Sequence, residues 1–433
     1  MTLNSIAMNI LLIGSGGREH ALAWKIGQSK RTKKLYISPG NGGTAESGEN
    51  VTINISDFLE LKSFLIEKNI DLVVVGPEQP LVDGLADQIK QDTELQKVKV
   101  FGPQKMGAQL EGSKAFSKEF MKRHNIPTAG YCTFNSSQLN EAYSFLETLN
   151  PPYVLKADGL AAGKGVLIIN ELAQAKTELA EMFNGKFSAA SQQVVIEEFL
   201  DGIEMSAFVI TNGKDYVLLP EAKDYKRIGE GDTGLNTGGM GCVSPVPFAK
   251  GDFMKKVEQK VFQPTINGLA QEGIPYTGFI FFGLMNVKGE PFVIEYNVRM
   301  GDPETEVVLP RIQSDLVEVI NACFEGDLSK INLDVMDETA LTIMAVSGGY
   351  PGSYEKGKHI RFDHLPQSGI YFHAGTKADG DELYTSGGRV IACTGFGKSI
   401  DRAKNQALDM VNAVKFEGKY YRKDIGDDLM NLF

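Results

Sequence analysis

The run Asn9-Ile10-Leu11-Leu12-Ile13 breaks into Gly14-Ser15-Gly16-Gly17 and then into a helical pattern over about 21–28. A short apolar run bounded by glycines reads as a buried strand. The rhythm repeats. Lys34-Leu35-Tyr36-Ile37-Ser38 is a second strand, a helix is expected near 57–68, and Leu72-Val73-Val74-Val75 and Val98-Lys99-Val100-Phe101 follow as strands. Strands alternating with helices build a parallel sheet whose loops gather at the strand C-termini, where such folds bind ligands. An N-terminal α/β domain over 1–110 is therefore expected.

A strand, a glycine loop and a helix N-terminus together favour an anion. The dinucleotide fingerprint fails, because Glu19 stands where the third glycine belongs and the second strand ends without an acidic residue. Nicotinamide cofactors are disfavoured, while a phosphate contact stays plausible. A second glycine loop, Pro39-Gly40-Asn41-Gly42-Gly43-Thr44, lies at the same sheet edge.

A chain of 433 residues allows two to four domains, at about 100–200 residues each. The net charge of −11 disfavours a general nucleic-acid binder. No apolar run reaches the ~18 residues of a membrane span, and no secretory signal opens the chain. The scattered Cys132, Cys242, Cys323 and Cys393 form no CxxC pair. Neither structural zinc nor a disulfide framework is supported, and a reducing cytoplasm is expected.

Past residue 110, Glu111-Gly112-Ser113-Lys114 starts a helix reaching about His124. Lys114 reads equally as a surface residue or a phosphate ligand. Tyr153-Val154-Leu155-Lys156-Ala157-Asp158 is a strand, and Val166-Leu167-Ile168-Ile169 returns as another. Between them lies Gly159-Leu160-Ala161-Ala162-Gly163-Lys164-Gly165, whose spacing is not that of a Walker A loop. A glycine-rich flap of this kind can cover a triphosphate with N–H donors, beside Lys156 as a fixed charge. The strand Val194-Val195-Ile196-Glu197-Glu198-Phe199 ends in an acidic tip near Glu204. It reads either as an adenine- and ribose-facing edge or as a solvated rim. The stretch 231–241 is polar and glycine-dense, and an irregular functional loop is expected there.

Phe292-Val293-Ile294-Glu295-Tyr296-Asn297 is an apolar strand ending in Val298-Arg299-Met300-Gly301-Asp302-Pro303-Glu304. Glu295 and Asn297 are two apart, so a strand points both to one face. A carboxylate and an amide oxygen so placed suit Mg²⁺ shared with phosphates. Arg299 can hold a carboxylate or phosphate bidentately. The neighbouring strand over 277–285 offers no carboxylate for a second metal. The last hundred residues read as α+β: strands over 339–346, 371–376 and 389–395, then an amphipathic helix over 399–416. His373, alone near a strand end, reads as structural.

Five motifs occur in order: Gly-Ser-Gly-Gly-Arg-Glu-His at 14–20, Leu-Glu-Gly-Ser-Lys at 110–114, Lys-Ala-Asp-Gly-Leu-Ala-Ala-Gly-Lys-Gly at 156–165, Asn-Thr-Gly-Gly-Met-Gly at 236–241 and Arg-Met-Gly-Asp-Pro-Glu at 299–304. With them the chain resembles the phosphoribosylamine–glycine ligases of the ATP-grasp superfamily, from about 9 to 430. The resemblance implies an N-terminal parallel α/β (pre-ATP-grasp) domain, a central ATP-grasp fold over 111–334 with a flap-bearing subdomain at about 126–200, and a small α+β domain over 335–433. It implies an enzyme that couples ATP, glycine and 5-phosphoribosylamine in purine biosynthesis, with Mg²⁺ or Mn²⁺.

By the same resemblance ATP meets Lys114, Lys156, Gly159, Gly163, Lys164, Gly165, Glu197, Glu198, Phe199 and Glu204, while Glu295 and Asn297 hold the metal. Gly14, Gly16, Gly17, Asn41, Gly42, Asp224, Asn236, Thr237 and Gly238 belong to the substrates. Arg299 and Asp302 are expected to orient glycine and, with Lys156, to serve catalysis. Tyr225 stands where many relatives carry histidine, which argues against a histidine proton shuttle. A monofunctional cytoplasmic monomer is expected, binding neither nucleic acid nor membrane, with transient contact to the preceding pathway enzyme left open. Another ATP-grasp carboxylate–amine ligase or carboxylase would share the clamp but not the full motif series.

Overall fold

The computed structural model describes residues 7–160, 165–186, 193–365 and 368–430. Gly163 and Lys164 lie outside them. The opening alternation forms a five-stranded parallel sheet in the order Glu49–Asn50, Thr32–Pro39, Met8–Gly14, Leu72–Val75, Lys99–Phe101. Its central strands Met8–Gly14 and Leu72–Val75 are near-continuous buried apolar runs because helices cover the sheet. The loops after Gly14, Pro39 and Val75 meet at one edge.

A second sheet is antiparallel, in the order Tyr131–Asn135, Gln193–Glu197, Tyr153–Ala157, Val166–Ile169. Helices Leu139–Thr148 and Leu172–Phe183 bury Leu146, Leu179 and Met182 against it. This unit has its own apolar core, separate from the large one that fills the rest of the molecule.

The third sheet has eight strands, ordered Glu290–Asn297, Gly278–Val287, Ile203–Thr211, Tyr216–Asp224, Gly241–Ser244, Thr339–Val346, Arg389–Gly397, Ile370–His373. The C-terminal strands thus extend the central sheet, through Gly241–Ser244 pairing with Thr339–Val346. Helix Ile400–Ala413 packs Ala403, Ala407, Met410 and Val411 into the same core. A four-stranded sheet of Thr376–Asp379, Glu382–Thr385, His359–Phe362 and Val414–Lys415 completes the C-terminal region. No helix among the described residues is long and apolar enough to cross a membrane.

Several local expectations need correction. The first helix starts at Gly17, not 21, because Glu19 folds back to accept the Gly16 N–H at 2.6 Å and closes the helix start. A helix over Lys105–Gly112 precedes the expected one, and Ser113 caps the start of Lys114–Arg123 by accepting the Phe116 N–H. Glu111 therefore ends one helix instead of beginning the next.

Residues 231–241 are not wholly irregular: Arg227–Gly229 pairs with Thr233–Asn236 in a hairpin. No apolar alternation marks it, since Thr233–Asn236 is exposed throughout. Buried Arg422, remote in sequence, holds it by donating to the Arg227 carbonyl and to Asp232. The strand expected over 371–376 is two strands in two sheets, Ile370–His373 and Thr376–Asp379. The chain turns where Gly375 crosses Gly387 so closely that a Cβ would stand 2.5 Å from the Gly387 Cα.

Candidate active site

The antiparallel sheet of 131–197 and the end strand of the eight-stranded sheet face each other. Thr128 and Val293 bridge them: the Val293 N–H donates to Pro127, and the Thr128 hydroxyl donates to the Val293 carbonyl. Lys156, on strand Tyr153–Ala157, crosses the gap to the Ile294 carbonyl at 3.3 Å. It also pairs with Glu197 at 3.0 Å. Lys118, one helical turn beyond Lys114, pairs with the same Glu197 at 3.0 Å and donates to Thr128. Burial pulls the Lys118 ammonium down to about 8, with Glu197 opposing. Glu197 Oε1 is buried without a hydrogen-bond partner among the described residues.

Lys114 donates to the Gly159 carbonyl at 3.0 Å. Asp158, beside it, accepts from Ser113 Oγ and the Ala115 N–H, so the base of the glycine loop sits on the start of helix Lys114–Arg123. The Ala157 N–H donates to the Gly165 carbonyl, closing the other side of that loop. Glu198 accepts from the Gly130 N–H, and Phe199 is 39 % exposed at the strand tip. Glu204 pairs with Lys226.

Glu295 faces Gly283 across the strand pair, and a Cβ there would stand 3.1 Å from the Glu295 Cγ. Burial would raise the Glu295 carboxyl, but Lys226, Lys156, Lys114 and Arg299 outweigh it and hold the group below the usual range. An ionised carboxylate two residues from the Asn297 amide is an oxygen donor set that fits a hard dication. Among the described residues no cluster of three or more His, Cys, Asp or Glu could hold a metal.

On the side of the parallel sheet, Arg299 is engaged by carboxylates: Glu111 at 2.5 Å and Glu78 at 3.2 Å. Asp302 lies 2.9 Å from Arg389 and 3.5 Å from the Arg18 N–H. Gly14 and Gly40 are joined by a backbone bond, and Asn41 donates to the carbonyls of Ser15 and His373. The Gly42 N–H reaches the Thr376 carbonyl at 3.2 Å. Gly17 packs on buried Glu306, whose two carboxyl oxygens have no partner among the described residues. Burial and Asp302 raise the Glu306 carboxyl well above its ordinary value, with Arg389 opposing. Burial also raises Asp224, against the pull of Lys226.

Asn236 is exposed, the Thr237 N–H and hydroxyl both donate to the Lys226 carbonyl, and Gly238 is held by Tyr350 and Arg389. His373 donates its N–H to His20 Nδ1, and burial depresses both imidazoles, His20 to about 3 and His373 to about 4. Tyr225 donates to Asp428 at 2.5 Å.

Models of phosphoribosylglycinamide synthetase match three successive stretches: the N domain over 8–111, the ATP-grasp (A) domain over 112–305 and the C domain over 340–428. The chain belongs to the phosphoribosylglycinamide synthetase family. A phosphoribosylamine–glycine ligase of Chlorobaculum tepidum is 45% identical over 427 residues, covering 97% of this chain and 99% of the relative. The crystal structure of a phosphoribosylamine–glycine ligase from Thermotoga maritima matches with a TM-score of 0.83 at 36% identity, covering 96% of this chain and 99% of that one. The biotin carboxylase domain of a Hydrogenobacter thermophilus 2-oxoglutarate carboxylase, solved with MgADP, shares the fold: TM-score 0.73, 15% identity, 99% and 94% covered.

In this chain, the residues singled out from sequence separate into two groups. Lys114, Lys156, Glu197 and Glu295 converge on the gap between the two antiparallel sheets. Gly14, Gly16, Gly17, Asn41, Gly42, Arg299 and Asp302 gather where the parallel sheet meets the body. Sequence reasoning missed Lys118, Asp158, Glu78, Glu111 and Arg389. Lys118 was detectable as the i+4 neighbour of Lys114 on one helix face. Arg389 had no local signal, because its partners lie 87 and 151 residues away.

Proposed function

We propose that the chain joins glycine to 5-phosphoribosylamine with ATP, giving glycinamide ribonucleotide, ADP and phosphate in purine biosynthesis. One observation carries this beyond family membership: Lys156 crosses the gap to the Ile294 carbonyl at 3.3 Å, next in sequence to Glu295, and Lys114 holds the Gly159 carbonyl at the base of the glycine loop. A triphosphate needs cations on one side and a metal-holding carboxylate on the other.

In this reading a glycine carboxylate oxygen attacks the γ-phosphorus and the bond to ADP breaks. The amine nitrogen of phosphoribosylamine then attacks the carbonyl carbon, phosphate leaves, and the nitrogen loses a proton. No protein nucleophile is needed. Lys114 and Lys156 neutralise and orient the phosphates, and Glu197 holds Lys156 in place. Glu198, Phe199 and Glu204 serve the nucleoside. Glu295 and Asn297 would hold Mg²⁺ or Mn²⁺, which when bound neutralises phosphate oxygens. The side away from the nucleotide, called the acceptor side because the amine acceptor enters there, takes both substrates: Asp302 orients glycine at its ammonium, the glycine loops at 14–17 and 41–42 face phosphoribosylamine, and Asp224 and 236–238 join them. Arg299 serves glycine by giving up part of its hold on Glu78 and Glu111.

The test is ATP turnover by the purified chain with Mg²⁺, using phosphoribosylamine formed in situ from ribose 5-phosphate and ammonia. ADP release should require glycine and phosphoribosylamine together. Hydrolysis that ignores either substrate would overturn the assignment.

A further inference from the structure

Two stretches given to substrate in that reading, 236–239 and 299–302, are joined by one side chain from elsewhere. Arg389 opens strand Arg389–Gly397 in the region matched by the family's C domain. Its Nη1 donates to the Gly238 carbonyl at 2.5 Å and to the Asp302 carbonyl at 2.7 Å. Its Nη2 lies 2.9 Å from Asp302 Oδ1. Tyr350, from the same region, accepts the Gly238 N–H at 2.9 Å.

The loop is shaped to this guanidinium. A Cβ on Gly238 would stand 2.9 Å from the Arg389 Cζ. Gly239 has φ +115°, a conformation that side chains rarely adopt, and lies tightly against Pro303. Burial opposes the charge on Arg389, but Asp302, with Tyr350, Glu306 and Glu304, more than restores it. Nη1 serves both carbonyls, while Nη2 stands beside Asp302 Oδ1, an oxygen without a hydrogen-bond partner among the described residues; the guanidinium thus ties the two backbone carbonyls by hydrogen bonds and the carboxylate by charge.

We propose that Arg389 is a positioning residue for the acceptor side of the site, where both glycine and phosphoribosylamine are placed: from the C-terminal region it holds the backbone of Asp302 and the 236–239 turn in register. This rests on the function proposed above. It separates the two halves of the site. Among the described residues, Lys114, Lys156 and Glu295 of the nucleotide half make no bond to Arg389, so nucleotide affinity should be insensitive to it. The acceptor half should not be.

The experiment compares Arg389→Ala, Arg389→Lys and Tyr350→Phe with the parent enzyme. Arg389→Ala is expected to raise the KM for glycine or phosphoribosylamine by about tenfold or more and to lower kcat, with ADP affinity by calorimetry unchanged within about twofold. Millimolar guanidinium should restore part of the lost turnover, which it would not do for a general loss of structure. Arg389→Lys should fall between parent and alanine variant, and Tyr350→Phe should show the smallest loss in the same parameters. Parent-like KM values in Arg389→Ala, or ADP affinity falling in step with turnover, would overturn the proposal. If the alanine variant does not fold, unchanged KM values in both Arg389→Lys and Tyr350→Phe overturn it equally. A parent enzyme that hydrolyses ATP without the acceptor substrates would instead sink the assignment of function.

Discussion

Strands Tyr153–Ala157 and Glu290–Asn297 face each other across the candidate site, yet they belong to units packed in different ways. The first sits in a four-stranded sheet with a private core of Phe134, Leu146, Leu155, Leu179 and Met182. The second is the end strand of an eight-stranded sheet whose core runs on into both the N-terminal sheet and the C-terminal helix Ile400–Ala413. Polar contacts tie the small unit to the large one: Lys156 to Ile294, Lys118 to Thr128, Thr128 to Val293. The acceptor side is held differently, by ion pairs between regions far apart in sequence: Arg299 with Glu78 and Glu111, and Asp302 with Arg389. The two sides of the candidate site therefore depend on different cores, one private to the small unit and one shared through the body.

If the contrast holds, substitutions in the two regions should fail in different ways. The largest effect is expected for Glu295→Ala, which leaves Lys114, Lys156 and Lys226 without their shared carboxylate. Turnover should drop about 10³-fold, or ~4 kcal/mol, with the melting temperature little changed. Steady-state kinetics that show less than a tenfold loss would remove Glu295 from the chemistry.

Arg299→Ala comes next. It strands two carboxylates, Glu111 buried and Glu78 partly so. A loss of about 3 kcal/mol in denaturant unfolding is expected in addition to lost turnover. Lost activity with parent stability would mean that Arg299 belongs functionally with the small unit.

Leu146→Ala, in the private core, should cost about 2–3 kcal/mol. Hydrogen exchange should locate that loss in the peptides of 131–197 and leave the parallel sheet protected. Uniform acceleration across the chain would show that the two cores unfold as one.

The smallest effect is expected for Glu306→Gln. Burial and Asp302 hold the folded Glu306 carboxyl protonated well above its ordinary range. The folded state therefore binds a proton that the unfolded chain releases above its own pKa. The stability associated with that proton is present in full below the unfolded value and falls as pH rises toward the folded one. Glutamine removes the titration, so stability should decline less between pH 5 and 8, by about 1 kcal/mol at pH 7 once the amide's own desolvation is counted. An unchanged stability–pH slope would mean that Glu306 does not titrate in this window.

The nucleotide side was legible in sequence because its residues lie on regular elements. Lys156 and Glu295 sit on strands whose apolar runs stand out, and a strand's period of two puts Glu295 and Asn297 on one face. The acceptor side was legible only as residue types. Arg299 and Asp302 were visible as a charged strand end, but their partners at 78, 111 and 389 carry no local pattern. The hairpin at 227–236 went unseen for the same reason. Its strands bury little of their own beyond the partly buried Ile228, and Arg422 holds it from nearly two hundred residues away.

What the amino-acid order alone determined is the parallel N-terminal sheet, the antiparallel clamp and the cations and carboxylate that line it. Hydrophobic period and glycine spacing act over a few residues and can be read there. What only the tertiary structure decided is that the C-terminal strands extend the central sheet, that Glu19 takes the Gly16 N–H, and which carboxylate each buried arginine meets. A buried charge is satisfied by whichever opposite charge the packing brings within reach, and that depends on the whole fold.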